Sequence, residues 1–118
     1  MPTYNLQYGP PQSKNPSGQL QISGTSATTA TFQARPNANA TWQTITGPAY
    51  TAKAGGGGTP DSPVDGDTLS MGSNAVNGQT FDGTATYSTT KGGYYTATAS
   101  PRAGVGDWDA ADDGVGKP

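Results

Sequence analysis

The sequence contains no cysteine, no histidine and no glutamate. The absence of cysteine excludes a disulfide framework and a thiolate metal site. Without His, Cys or Glu, only Asp, Lys and Tyr remain as general bases or nucleophiles. None of the four lysines lies in an apolar run, where a lysine would lose its hydration and become nucleophilic. We therefore expect that the chain is not an enzyme and that it carries no cofactor.

Large aliphatic side chains are also scarce. Leu, Ile, Val and Phe together make up fewer than a tenth of the 118 residues, well under the roughly 20% below which disorder is the default expectation. The formal net charge is only −2, so the chain does not have the self-repulsion of a typical disordered protein. We therefore expect a weak core whose missing contacts are supplied by neighbouring chains.

Long apolar runs and basic stripes are absent as well. No segment approaches the roughly 20 apolar residues of a membrane-spanning helix, and residues 1–5 lack the positive and apolar regions of a signal peptide. Six scattered basic residues against eight acidic ones form no basic patch. These absences predict no membrane association and no nucleic-acid partner.

Threonine, glycine, alanine and proline fill the chain instead, and no window shows helical apolar spacing. Threonine is β-branched and favours strands. The pattern predicts an all-β fold: a small antiparallel sandwich or barrel-like sheet with an extended N-terminal arm and an irregular C-terminal tail. Strands are predicted at 19–23, with Leu20 and Ile22 on one face, at 28–34, with Ala30, Phe32 and Ala34 on one face, and at 40–46. A fourth strand could follow at 49–53.

The domain organisation follows from composition. Residues 1–18 form the predicted arm, in which Tyr4, Leu6 and Tyr8 alternate with polar residues and give one apolar face to a strand or an extended segment. Residues 19–100 form one small β domain, and residues 101–118 form an acidic, glycine-rich tail. A Gly/Pro-rich loop at 55–66 divides the domain as a flexible tether or a long surface loop.

Residues 83–100 read as two strands around a glycine-containing loop. A two-residue turn would separate the apolar residues of the two strands onto opposite faces. A three-residue loop at 91–93 would instead pair Tyr87 with Ala97, Ala85 with Ala99 and Thr89 with Tyr95, which places all of the alanines and most of the aromatic surface on one face. We predict the three-residue loop.

Two acidic clusters could supply oxygen ligands to Ca²⁺. The first contains Asp61, Asp65 and Asp67. The second lies in the tail, where Asp107, Asp109 and Asp113 are weak metal-ligand candidates. Ala111 stands where the calcium-loop pattern requires an oxygen ligand, and no glutamate can close the site. A solvated acidic tail is the favoured interpretation.

Four aromatic residues, Trp42, Tyr94, Tyr95 and Trp108, could stack on sugar rings if they are exposed. They are also the largest core candidates in a chain that has few aliphatic residues. Burial in the core is the favoured interpretation of all four.

In size and composition the chain resembles capsid cement, head-decoration and tail-accessory proteins of tailed phages, and no residue motif identifies a family. The resemblance implies a virion accessory subunit, made in the host cytoplasm, that stabilises a lattice of capsid or tail subunits through arms and strand addition. It also implies a homodimer or homotrimer. Tyr4, Leu6, Tyr8 and Trp108 are the predicted partner-binding residues. The alternative is a carbohydrate-binding or adhesin-like β-sandwich module.

Overall fold

The computed structural model describes residues 3–8, 15–72, 74–76, 78–81, 83–90, 92–96 and 108–111. Within these ranges the fold is all-β, as predicted, with one short 3₁₀ helix at Ala27–Thr29. No helix of this described part is long and apolar enough to cross a membrane. The strands are β1 (Thr3–Tyr8), β2 (Asn15–Ser23), β3 (Thr31–Arg35), β4 (Gln43–Thr44), β5 (Ala49–Thr51), β6 (Thr68–Ser70), β7 (Asn74–Val76), β8 (Gln79–Phe81), β9 (Thr84–Ser88), β10 (Gly93–Tyr95) and β11 (Trp108–Ala111).

Nine strands form one antiparallel sheet in the order β4-β3-β2-β1-β11-β10-β9-β6-β5, and β7 and β8 form a separate hairpin. The sheet curves into a half-barrel. Its two end strands, β4 and β5, are joined by residues 45–48 alone. Since so short a segment spans at most about 18 Å, the two edges lie near each other without pairing. Strands from both sides of the loop at 55–66 share this sheet.

The described residues of the predicted arm, 3–8 and 15–18, lie in strands of the sheet. β1 pairs with β2 on one side and with β11 on the other. Tyr4 and Leu6 are 3% and 0% exposed and face the interior of the half-barrel. Thr3–Tyr8 is therefore an interior strand of the sheet, because it pairs on both sides. Its side chains Tyr4 and Leu6 pack within the same chain. Part of the predicted tail, β11, is likewise an interior strand.

Aromatic side chains supply much of the core volume. Tyr94 packs edge-to-face against Tyr4 and against Tyr87, with ring centroids 5.3 and 5.0 Å apart, and Phe81 packs edge-to-face on Trp108 at 5.7 Å. Such pairs add to the free energy of burial. The buried cluster consists of Tyr4, Leu6, Leu20, Ile22, Phe32, Ala34, Tyr50, Leu69, Met71, Val76, Phe81, Ala85, Tyr94, Trp108 and Ala110. The shortage of aliphatic residues is thus partly offset by rings from this chain itself.

The predicted strands at 19–23, 28–34, 40–46 and 49–53 correspond to β2, β3, β4 and β5. Leu20 and Ile22 are fully buried, and Phe32 and Ala34 are 7% and 5% exposed, so the predicted inward faces are confirmed. β3 begins later than predicted, because the 3₁₀ helix occupies Ala27–Thr29. β4 is only two residues long.

The predicted hairpin register at 83–100 is wrong. The observed pairs are Ser88 with Gly93, Tyr87 with Tyr94, and Thr86 with Tyr95, which leaves a four-residue loop at 89–92. The N–H of Gly92 donates to the carbonyl of Ser88 at 2.8 Å, and Gly92 has a φ of +78°, which glycine adopts without strain.

The physical reason is the packing of one ring. The predicted register turned Tyr95 and the alanines inward, whereas the observed register turns Tyr94 inward, where its ring packs edge-to-face on both Tyr87 and Tyr4. Such aromatic pairs stabilise the fold by about 0.5–1.5 kcal/mol each beyond the burial of area. The predicted partners Ala97 and Ala99 lie outside the described residues.

Candidate functional site

β4 forms one open edge of the sheet. Within the described residues it pairs with β3 alone, through Gln33 opposite Thr44 and Ala34 opposite Gln43. The N–H of Ile45 donates to the carbonyl of Phe32 at 3.0 Å. Since hydrogen-bonded and non-hydrogen-bonded pairs alternate along an antiparallel ladder, Thr44 belongs to a non-hydrogen-bonded pair. Its N–H and C=O therefore point away from β3, toward the open edge.

The side chains of this edge alternate between the two faces of the sheet. Gln43 lies opposite the buried Ala34 and faces inward, while Thr44 lies opposite Gln33 and faces outward. The inward side chain of Ile45 is partly buried and packs against the core. We call the stretch 42–45, with its exposed backbone groups, the β4 edge.

Two surface depressions lie beside the β4 edge, and Ile45 lines both. The larger, of about 380 Å³, is lined by Ala30, Thr31, Phe32, Thr44, Ile45, Thr46, Gly47 and Pro48. The smaller, of about 150 Å³, is lined by Ala34, Arg35, Pro36, Gln43, Ile45, Ala75 and Val76. Both have room for side chains of an extended segment laid beside β4.

A fixed cation lies on the outward side of the β4 edge. The guanidinium carbon of Arg35 lies 4.1 Å from the ring centroid of Trp42, within the range of a cation–π contact. Its Nε donates to Oε1 of Gln19 at 2.8 Å, and Nη1 donates to the carbonyl of Ala40 at 3.3 Å. Gln19 in turn donates from Nε2 to Oδ1 of Asn5 at 3.0 Å. These contacts hold the guanidinium in place.

The aspartates of the first acidic cluster each accept hydrogen bonds from different backbone segments. Oδ1 of Asp61 accepts the N–H of Gly24 at 3.1 Å, and Oδ1 of Asp65 accepts the N–H of Thr89 at 2.6 Å. The Thr89 hydrogen bond holds the pKa of Asp65 below its ordinary value. Among the described residues, no three Asp, Glu, His or Cys side chains are grouped to hold a metal ion.

Asp67 holds the glycine-rich loop at 55–66. Its carboxylate is fully buried and accepts the backbone N–H groups of Lys53 (2.9 Å), Gly58 (3.0 Å) and Val64 (3.1 Å), together with the hydroxyl of Tyr50. Burial alone would raise the pKa of Asp67, but these hydrogen bonds hold it below its ordinary value. Burial, followed by the neighbouring Asp67, raises the pKa of Tyr50. Tyr50 and Asp67 share one buried hydrogen bond. We call the Asp67 carboxylate with these four donors the Asp67 clamp.

The predicted partner-binding side chains do not form a surface. Tyr4, Leu6 and Trp108 are 3%, 0% and 0% exposed within the chain's own core. The backbone of Tyr8 pairs with Trp108, and its side chain lies outside the described residues. While the chain keeps this fold, the three core side chains are closed to a partner.

The remaining predicted residues are divided between core and surface. Tyr94 and Tyr95 are 0% and 9% exposed, so the predicted burial is confirmed for them and for Trp108, whereas Trp42 is only half-buried. Of the weak metal-ligand candidates, Asp109 is buried in β11. Asp107 and Asp113 lie outside the described residues.

The sequence interpretation missed the importance of Arg35, Thr44 and Ile45. Residues 40–46 were predicted as a strand, but hydrophobic alternation does not distinguish an edge from an interior strand. Pro48, immediately before β5, indicates an edge position for β5, but no residue within 40–46 gives such a signal for β4.

Comparison with known proteins adds no relative. No protein-family model, curated protein sequence or solved structure matches the chain.

Proposed function

We propose that this chain is a structural accessory subunit of a larger protein assembly, namely a capsid-decoration, cement or tail-accessory subunit of a virion. It is made in the host cytoplasm and acts by binding neighbouring subunits. The observation that carries the proposal is the β4 edge, whose Thr44 backbone groups face outward beside two side-chain depressions. An extended segment of a neighbour that pairs with such an edge gains backbone hydrogen bonds and side-chain pockets together.

The structure changes the proposed mode of attachment. The segment 1–18 was expected to cross to a neighbour, but Thr3–Tyr8 is paired on both sides within its own sheet. Attachment through β4 requires no exchange of β1 and leaves the core intact. The proposed partners are therefore major capsid or tail subunits that contribute a strand to this edge, with the accessory chain present as a dimer or trimer.

Co-sedimentation with purified tailed-phage heads or tails tests the proposal. Thr44→Pro removes the backbone donor that points to the open edge without removing a hydrogen bond to β3, and Thr44→Ala keeps that donor as the matched control. We expect wild type and T44A to sediment with the particle and T44P to remain in the supernatant. Equal binding of T44P and T44A, or no binding to any particle, would contradict the proposal.

A second candidate function, carbohydrate binding, is favoured by one observation. Trp42 is half-buried on the outward face, next to the hydrogen-bonded row of Arg35, Gln19 and Asn5. Indole faces stack on sugar rings, and side-chain amides bind hydroxyl groups. A glycan array separates the two functions: glycan binding that Trp42→Ala abolishes and T44P leaves unchanged supports the module, and the reverse pattern supports the structural subunit.

A further inference from the structure

The guanidinium of Arg35 lies on the outward face of the sheet, against the edge residue Trp42. The pairs Gln33–Thr44 and Ala34–Gln43 place Trp42 opposite Arg35 at the next position. The guanidinium carbon lies 4.1 Å from the indole centroid, while Nε donates to Gln19 of β2, so the charge lies above β3, between Gln19 and Trp42. An added strand would lie about 4.8 Å beyond β4, so a long side chain directed back across Trp42 is needed to approach this cation.

The contacts of this cation within the described residues are all neutral. They are an amide oxygen of Gln19, a backbone carbonyl of Ala40 and the face of Trp42. Two of the five guanidinium N–H donors make these hydrogen bonds. Arg35 is thus a positioned positive charge without a carboxylate among those contacts, in a chain whose net charge is −2.

We propose that the segment that adds to β4 is acidic on its outward side and apolar on its inward side. This inference rests on the proposed function and specifies its partner. A residue opposite Trp42 on the added strand faces outward, so its carboxylate can accept hydrogen bonds from Arg35. Its neighbours in sequence face inward, toward the depressions beside Ile45. Charge complementarity favours such a segment over a neutral or basic one.

Fluorescence anisotropy with labelled eight-residue peptides tests this preference on the full chain. One peptide alternates valine with glutamate, a second valine with glutamine, and a third valine with lysine. Charge-assisted hydrogen bonds are about twice as strong as neutral ones, so we expect the glutamate peptide to bind at least tenfold more tightly than the glutamine peptide. The preference should fall as the salt concentration rises.

Two variants test whether Arg35 causes the preference for the glutamate peptide. Arg35→Gln should bring the affinity for the glutamate peptide down to that for the glutamine peptide. Lys53→Gln, which removes an exposed lysine from the loop, should leave the tenfold ratio unchanged. Because the comparison among peptides uses wild-type protein, the test stands even if the Arg35 variant fails to fold.

The outcomes separate this inference from the proposed function. If the glutamate and glutamine peptides bind equally and T44P weakens both, strand addition stands and the acidic preference is overturned. Binding of an acidic oligosaccharide such as a heparin fragment, without binding of any peptide, overturns both. Self-association through β4, seen as a light-scattering mass that T44P reduces to the monomer, overturns the acidic partner in favour of a second copy.

Discussion

Asp67→Asn tests whether one buried carboxylate organises the glycine-rich loop. All four partners of Asp67 are donors: three backbone N–H groups and the hydroxyl of Tyr50. An asparagine amide must turn its NH₂ toward at least one of them in either orientation. The best orientation keeps the three contacts of the original Oδ2 and sets NH₂ against the N–H of Lys53.

The expected cost follows from those contacts. Losing one hydrogen bond to a charged group costs about 1.5–3 kcal/mol of the free energy of unfolding, and the N–H of Lys53 that loses its partner is part-buried. For a domain of this size, 3 kcal/mol corresponds to a decrease in Tm of roughly 10 °C. Urea unfolding followed by circular dichroism and tryptophan fluorescence measures the change. Asp61→Asn, at an exposed carboxylate with one N–H partner, is the control.

The same variant changes the pH dependence of stability. The pKa of Asp67 is lower in the folded chain than in the unfolded chain, so its contribution is present above the unfolded pKa of about 4 and is lost as the pH falls through the lower, folded value. Wild type should lose stability on acidification below about pH 4, and D67N should lose less. If D67N loses less than about 0.5 kcal/mol of the free energy of unfolding, or if its stability depends on pH below 4 as that of wild type does, Asp67 does not organise the loop.

Three further predictions test the core, an interior tyrosine and the loop. Leu6→Ala should lower the free energy of unfolding of the isolated chain in urea by about 2–5 kcal/mol. The control Thr86→Ala, at an exposed residue, should lower it by less than about 0.5 kcal/mol. If Leu6→Ala has no effect, Leu6 does not lie in the core and is again a candidate for contact with a partner. Burial, and then Asp109, raises the pKa of Tyr95 to about 12, so the stability it contributes is complete below about pH 10 and is lost as the pH rises through 12. Ultraviolet titration of wild type should show a tyrosine that ionises near pH 12 and that Tyr95→Phe lacks. A pKa near 10 for Tyr95 in the folded chain would contradict its burial. Gly58→Ala should lower the Tm in thermal melts, because a Cβ at Gly58 would overlap the carbonyl oxygen of Ser62; an unchanged Tm would contradict the packing of this loop.

Local alternation in the sequence was enough to predict much of the first half of the fold. Leu20 and Ile22, then Phe32 and Ala34, alternate with polar residues, and each pair lies on the inward face as expected. The alternation of Tyr4 and Leu6 likewise indicated an apolar face. It could not indicate that this face would be covered within the chain, because the pairing of β1 with β11 joins residues about a hundred positions apart.

The candidate site was harder to predict for a related reason. Residues 40–46 have the composition of a strand, but whether a strand is interior or at an edge depends on the whole sheet order. The cation at the site also depends on pairing, since only the β3–β4 register sets Arg35 over Trp42. The predicted hairpin register at 86–95 was wrong because Tyr94, and not Tyr95, packs on Tyr87 and on Tyr4, a residue far away in the sequence.

Amide hydrogen exchange at Thr44, measured with and without a bound particle or the glutamate peptide, tests the central claim most directly. In the free chain Thr44 should exchange fast, because its N–H faces the open edge, while the neighbouring N–H of Ile45 is protected by the carbonyl of Phe32. Binding should slow exchange at Thr44 at least tenfold and leave Ile45 protected, as expected for a new ladder hydrogen bond. Unchanged fast exchange at Thr44 in a complex that demonstrably forms would contradict attachment by strand addition.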